Sequence, residues 1–154
     1  MIFSRLIKYY LIVLAHGSGT LNVEDKNLEK IFTKRLIEKS MKTQEALLRK
    51  ALTILKPGHQ MVYSTCSILK EENEQILEKV LKEKNAKILP IEFEGKEEMP
   101  ILKTNLEGTM CVMPTELYEG FFIAKIVKGW EMGVKGDGVS KYPVPFDLFN
   151  FSNL

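Results

Sequence analysis

The sequence predicts an α/β fold organised around one sheet. Three observations predict it. Apolar or β-prone runs recur at residues 10–15, 60–65, 86–93, 110–113 and 121–127. Stretches with helical spacing of apolar residues lie between several of them. Lys56-Pro57-Gly58 then separates a helical stretch from a strand-like one, because proline cannot continue a helix and glycine suits its left-handed exit. Strands that alternate with helices imply an α/β sheet.

Residues 10–15 form a short apolar run that enters the turn His16-Gly17-Ser18-Gly19-Thr20. A buried strand running into a Gly-rich turn fits the pattern. The segment Met1–Leu14 also carries Arg5 and Lys8, and no acidic residue precedes Glu24. A signal peptide, with Ala15 and Gly17 as small residues, and an organellar presequence are the other readings. The run is too short for a transmembrane helix.

Leu28, Ile31, Phe32, Leu36 and Ile37 form one helical stripe, and Ala46, Leu47, Ala51, Leu52, Ile54 and Leu55 a second. Gln60–Thr65 is a compact β-prone run expected to be a central strand, and Cys66 follows it directly. Glu72–Lys84 reads as a helix with Ile76, Leu77, Val80 and Leu81 on one face. Ala86–Phe93 reads as a strand weakened by Pro90, and 94–105 as a charged loop. Met110–Met113 is a short strand, and Phe121–Val127 a last strand expected to be buried on both faces. Gly129, Gly133, Gly136 and Gly138, then Pro143 and Pro145, make 129–154 a loosely ordered tail. Trp130, Phe146, Phe149 and Phe151 are the residues by which it would dock.

The chain has 154 residues, the size of one domain, with 45% hydrophobic and 27% charged residues as in an ordinary soluble protein. A net charge of +2 does not by itself argue for nucleic-acid binding. The basic residues Lys34-Arg35, Lys39, Lys42, Arg49-Lys50 and Lys56 read either as a solvated helix face or as a phosphate-binding surface. Two cysteines, Cys66 and Cys111, make no disulfide framework, and neither they nor His16 and His59 show metal-ligand spacing. A reducing intracellular compartment and no membrane are expected.

In open α/β sheets, functional groups gather beyond the carboxyl ends of the strands, where Cys66 and the Gly17–Gly19 turn both fall. Cys66 in Tyr63-Ser64-Thr65-Cys66-Ser67 has two readings. One is a small buried core residue. The other is a nucleophile, since a helix dipole favours thiolate ahead of a helix N-terminus. Cys111 reads as a buried strand cysteine, His59 as an exposed turn residue, and Phe121-Phe122 as core rather than a base-stacking platform.

Four elements in order resemble the Nop/Sun (RsmB-type) RNA cytosine-5 methyltransferases. Gly17-Ser18-Gly19-Thr20 resembles the end of their Asp-Ala-Pro-Cys-Ser-Gly-Ser-Gly-Thr motif. Leu55-Lys56-Pro57-Gly58-His59-Gln60-Met61-Val62 resembles the lead-in to their Thr-Cys motif. Tyr63-Ser64-Thr65-Cys66-Ser67, with Glu71-Glu72-Asn73-Glu74 after it, resembles that motif itself. Pro114 and Gly120-Phe121-Phe122-Ile123-Ala124-Lys125 resemble their closing strand. The resemblance spans about residues 17–128.

The resemblance implies the C-terminal half of a Rossmann-like methyltransferase sheet with an antiparallel last strand. It implies an S-adenosylmethionine-dependent RNA (cytosine-5) methyltransferase of rRNA or tRNA, with Cys66 as catalytic nucleophile. A thiolate adding to carbon 6 of cytosine turns carbon 5 into a nucleophile able to take the methyl of S-adenosylmethionine. Gly17, Ser18, Gly19, Thr65 and Ser67 are the candidate substrate-binding residues around it, with Thr65 and Ser67 read mainly as shaping the turn. Glu72 and Asn73 read either as caps of the next helix or as substrate contacts.

The departures are as specific. The family's motif aspartate, proline and cysteine fall at Ile12, Leu14 and Ala15, and His16 replaces a serine. The aspartate is expected to hold the base and the cysteine to assist product release. His16 reads as a turn residue without a role, or as a polar partner in their place. The family's cofactor loop lies upstream of everything matched, so the S-adenosylmethionine loop is absent from this chain. The expected organisation is a divergent segment 1–16, a partial methyltransferase catalytic domain 17–128 and the tail 129–154. The expectation is a truncated chain that is inactive or weakly active. The alternatives are a non-catalytic RNA- or protein-binding remnant and a product without a stable fold.

Overall fold

The computed structural model of the chain describes residues 9–13, 15, 17–20 and 33–129. The strands are β1 (Tyr9–Val13), β2 (Gln60–Thr65), β3 (Ala86–Leu89), β4 (Ile101–Leu102), β5 (Met110–Val112) and β6 (Phe121–Lys128). The helices are α1 (Lys34–Ile54) and α2 (Glu74–Glu83), with a 3-10 turn at Lys96–Glu98. The strands form one sheet in the order β1-β2-β6-β5-β4, with β3 also on β6. β1 runs parallel to β2 with Val13 opposite Thr65. β6 is antiparallel to β2 with Phe122 opposite Thr65. Its other edge is shared end to end, by β5 against residues 121–123 and β3 against residues 125–128. Gln60–Thr65 therefore lies inside the sheet beside a reversed last strand, as the sequence predicts.

Alternation along the strands sorts side chains onto two faces. Met61, Tyr63, Phe122, Ala124 and Ile126 face the helices and are buried. Leu48, Leu52 and Leu55 from α1 and its exit, and Ile76, Leu77, Val80 and Leu81 from α2, close over them. Tyr63 meets Phe122 edge to face, ring centroids 6.5 Å apart and planes at 73°. Each such side chain contributes about 1.5–3 kcal/mol by leaving water. Phe122 is thus core, as expected, and Cys111 is 5% exposed.

Several boundaries and burial expectations are corrected. The two expected helices share one uninterrupted helix, α1, because 38–45 contains no breaker; residues 28–32 lie outside the described residues. α2 starts at Glu74 rather than Glu72. β3 ends at Leu89 because Pro90 has no N–H to continue the ladder. The expected charged loop contains the 3-10 turn and β4, whose two residues pair with Val112 and Cys111. β6 is not buried on both faces: it alternates between buried and half-buried residues over 121–126, since the described helices cover one face. The first strand is not fully buried either: Tyr10 and Ile12 are 72% and 76% exposed on the face away from the helices. His59 is half-buried, its Nδ1 3.3 Å from the Pro57 carbonyl. The tail beyond Gly129, with Trp130, Phe146, Phe149 and Phe151, lies outside the described residues, as do Leu14 and His16. No helix among the described residues is long and apolar enough to cross a membrane.

A polar clamp ties the helices in register. Lys79 Nζ is 2.6 Å from a Glu45 carboxylate oxygen, which Arg49 also reaches, and Arg49 Nε donates to Glu83 at 2.7 Å. The pairings advance together along both helices, so α1 and α2 run parallel and their N-termini share the carboxyl end of β2. Lys79 holds Glu45 below the ordinary carboxylate value of 4.5, and Arg49 does the same to Glu83. A carboxyl depressed in the fold adds stability above its unfolded value, lost as pH falls through the lower folded value. Arg49→Gln should therefore lower the melting temperature near neutrality, by a margin that shrinks below about pH 4.5 and in high salt. Thermal melts from pH 7 to pH 3 check this; a margin independent of pH would refute it.

Candidate active site

Three segments meet at the carboxyl end of β2. β1 and β2 are parallel and in register, so the turn Gly17–Thr20 after one lies beside the loop from Cys66 after the other. β6 runs the opposite way, so the loop that precedes it delivers Gly120 to the same place. Backbone hydrogen bonds join the three: Gly19 N donates to Cys66 O at 3.1 Å, and Gly120 N donates to Gly19 O at 2.7 Å. The approach leaves no room for side chains. A Cβ on Gly19 would overlap the Gly120 carbonyl, and one on Gly120 would lie 2.9 Å from Gly19 Cα, Ile68 Cγ2 and Pro114 Cδ. Gly17 has φ +79°, which disfavours any other residue.

Side chains reinforce the junction. Ser18 and Ser67, both buried, have their Oγ atoms 2.9 Å apart. Ser18 Oγ also accepts from Ile68 N at 2.9 Å, and Ser67 Oγ from Leu69 N at 3.1 Å. Thr65 Oγ1 donates to Asn73 Oδ1 at 2.5 Å, and Asn73 Nδ2 donates to Ser67 O at 2.8 Å. Cys66 is exposed between Thr65 and Ser67, each fully buried.

The structure thus brings Cys66 together with Gly17, Ser18, Gly19, Thr65 and Ser67. Asn73 stands at the start of α2 but makes no side-chain cap hydrogen bond, so its side chain serves the Cys66 loop instead. Glu72 is fully buried beside the core. Burial, and then the Glu72 carboxylate, hold the Tyr63 phenol well above its ordinary value. Burial also pushes the Cys111 thiol up to about 11, which disfavours its thiolate. Ile12 projects from β1 into solvent, and Ala15 is half-buried. Sequence reasoning missed two members of the junction, Gly120 and the bracing role of Asn73. The signal for Gly120 was a glycine directly before a strand; Asn73 stood in the resembling stretch Glu71–Glu74 and read as a cap or a substrate contact, and nothing local tied its side chain to the Cys66 loop.

Lys34, Arg35, Lys39 and Lys42 are exposed on the N-terminal half of α1, at the same end of the sheet. The described residues offer no cradle fitted to S-adenosylmethionine: the junction is closed by paired backbones, and Ile12 presents no polar group. No group of three or more His, Cys, Asp or Glu among them is placed to hold a metal ion.

Comparison with known proteins gives a consistent match. A family model described as 16S rRNA methyltransferase RsmB/F matches residues 14–127. Ribosomal RNA small subunit methyltransferase F of Shewanella sp. (strain ANA-3) is 35% identical over 119 residues, 73% of this chain and 23% of that protein. The protein of the same name from Vibrio cholerae serotype O1 (strain M66-2) is 36% identical over 115 residues, 73% and 24% of the two chains. The chain therefore spans about a quarter of the length of these curated relatives. Among solved structures, a methyltransferase homolog protein from Pyrococcus horikoshii aligns with TM-score 0.58 and 30% identity over 77% of this chain and 38% of its own. NSun6 from Pyrococcus horikoshii with SFG aligns with TM-score 0.61 and 23% identity over 79% and 30%, a likeness of fold.

Proposed function

The chain belongs to the 16S rRNA methyltransferase RsmB/F family, and on that premise we propose that it supplies the cysteine-bearing part of an S-adenosylmethionine-dependent RNA (cytosine-5) methyltransferase acting on rRNA or tRNA. Cys66 is the nucleophile in this reading. The observation that carries it is an exposed thiol between two buried residues, in a loop bonded to the Gly17–Thr20 turn. A core cysteine would be enclosed, as Cys111 is.

The Cys66 thiolate adds its sulfur to carbon 6 of cytosine. The carbon 5–carbon 6 π electrons shift toward carbon 5, which becomes electron-rich. Gly17, Ser18, Gly19, Thr65 and Ser67 surround the loop that presents the sulfur. S-adenosylmethionine supplies the methyl group in this family's chemistry; because the described residues do not fit it, no later step is assigned to them.

The addition step is testable alone. RNA with 5-azacytosine in place of cytosine has a more electrophilic carbon 6; when the sulfur adds there, the carbon 6–nitrogen 5 π pair moves to nitrogen 5, which takes a proton from water. The chain should form an adduct with it that survives denaturing electrophoresis, slowly, and Cys66→Ala should form none. Equal adduct from the Cys66→Ala chain, or none from either, would refute Cys66 as the nucleophile.

A second reading is a non-catalytic RNA-binding remnant. The exposed Lys34, Arg35, Lys39 and Lys42 at the Cys66 end of the sheet favour it. Four phosphate contacts would weaken retention of structured RNA on a filter on the order of a hundredfold between about 50 and 200 mM salt. Retention that does not change with salt would end this reading.

A further inference from the structure

Thr65, Cys66 and Ser67 alternate inward, outward, inward: 0% exposed, exposed, 0% exposed. Cys66 follows the last residue of β2, so strand pairing no longer dictates this alternation. One side chain grips both inward neighbours. Asn73, 1% exposed, accepts from Thr65 Oγ1 through Oδ1 at 2.5 Å and donates through Nδ2 to the Ser67 carbonyl at 2.8 Å. Ser67 N closes the ring by donating to Thr65 Oγ1 at 3.4 Å.

We infer that Asn73, acting through Thr65 and Ser67, is a positioning residue that holds the Cys66 thiol outward toward substrate. The inference rests on the reading of Cys66 as nucleophile but deepens it by naming what aims the sulfur. Asn73 is the N-cap residue of α2, where an asparagine ordinarily caps the helix with its side chain. Here that bond is absent, and both polar atoms of the amide face the loop instead. A helix terminus is anchored by its whole packed face, here by Ile76, Leu77, Val80 and Leu81. The brace thereby transmits the rigidity of the core to one exposed residue. The Ser18 latch approaches the same loop from the other side, through Ser67 Oγ and Ile68 N. Removing Asn73 leaves that latch intact but frees Cys66 to turn inward.

The test uses the full chain and its two cysteines, with the buried Cys111 as internal reference. Iodoacetamide alkylation of each thiol is followed by mass, and amide exchange at Ser67–Leu69 is read in parallel. Asn73→Ala should slow Cys66 alkylation about fivefold, the effect of losing about one net hydrogen bond, and speed exchange at those amides. Cys111 should stay protected. Thr65→Val breaks the same brace from the other side and should act alike, so the inference stays testable if Asn73→Ala fails to fold. The double variant should be no slower than either single one, and Thr65→Ser, which keeps the hydroxyl, should react like the unaltered chain. An unchanged Cys66 rate, additive losses in the double variant, or Cys111 labelling that rises in step with the change would overturn the inference. None of these readouts involves RNA, so they are separable from the adduct test of Cys66 itself.

Discussion

Gly19→Ala should lower the melting temperature by about 10 °C, corresponding to about 3 kcal/mol for overpacking that only a backbone shift can relieve. The added methyl would overlap the carbonyl of Gly120, so two chain segments would have to part. Parting them breaks the 2.7 Å bond from Gly120 N to Gly19 O and strains the neighbouring bond from Gly19 N to Cys66 O. Neither glycine has positive φ, so the requirement is space and not backbone conformation. Gly120→Ala should cost less. Its methyl would meet its nearest atoms at 2.9 Å rather than 1.8 Å, and one of them, Ile68 Cγ2, belongs to a side chain with some freedom to shift. Circular dichroism melts of the two variants beside the unaltered chain measure this. A Gly19→Ala shift under about 3 °C, or a larger shift for Gly120→Ala, would show that the close approach is not what holds the three segments together.

The 154-residue chain incubated with tritiated S-adenosylmethionine and unmodified rRNA or tRNA should incorporate no methyl above a Cys66→Ala control. Two features point the same way. The positions matched to the family's base-holding aspartate and product-releasing cysteine are Ile12 and Ala15, which have no ionisable group. Ile12 extends 76% exposed from β1 and offers a base nothing to bond. In addition, the described residues present no cradle for the methyl donor. Correct placement of reactants contributes on the order of 7–11 kcal/mol of barrier reduction, and a thiol alone cannot place them. Addition of Cys66 to an activated pyrimidine requires neither group, so the slow adduct and the absent methyl transfer are compatible. Cys66-dependent incorporation would overturn this expectation and show that another part of the 154 residues completes the site.

The strands and helices were legible because burial imposes periods of 2 and 3.6 that survive in the order of residues. Where the pattern misled, the cause was context. The apolar residues of 10–15 read as a buried strand, but β1 pairs on one side only among the described residues and leaves Tyr10 and Ile12 in solvent. Phe121–Val127 read as buried on both faces, but helices cover only one of them. Ile101–Leu102 is too short a strand to show any period and exists through its pairing with β5.

Sequence alone determined that Cys66 follows a central strand, that a Gly-rich turn follows another, and that the set resembles one family. These are properties of short segments, each recognisable without its surroundings. Only the tertiary structure decided what surrounds the thiol. Ser18 and Ser67 are 49 residues apart in the chain and share a hydrogen bond because parallel pairing of β1 with β2 ends both strands at one edge. Gly19 and Gly120 touch because β6 enters that edge from the opposite direction. Asn73 turns from its helix to the Cys66 loop because α2, packed on the core through Ile76, Leu77, Val80 and Leu81, begins within hydrogen-bond reach of Thr65 and Ser67. Contacts between distant segments depend on the register and direction of the strands that carry them, which no segment encodes by itself.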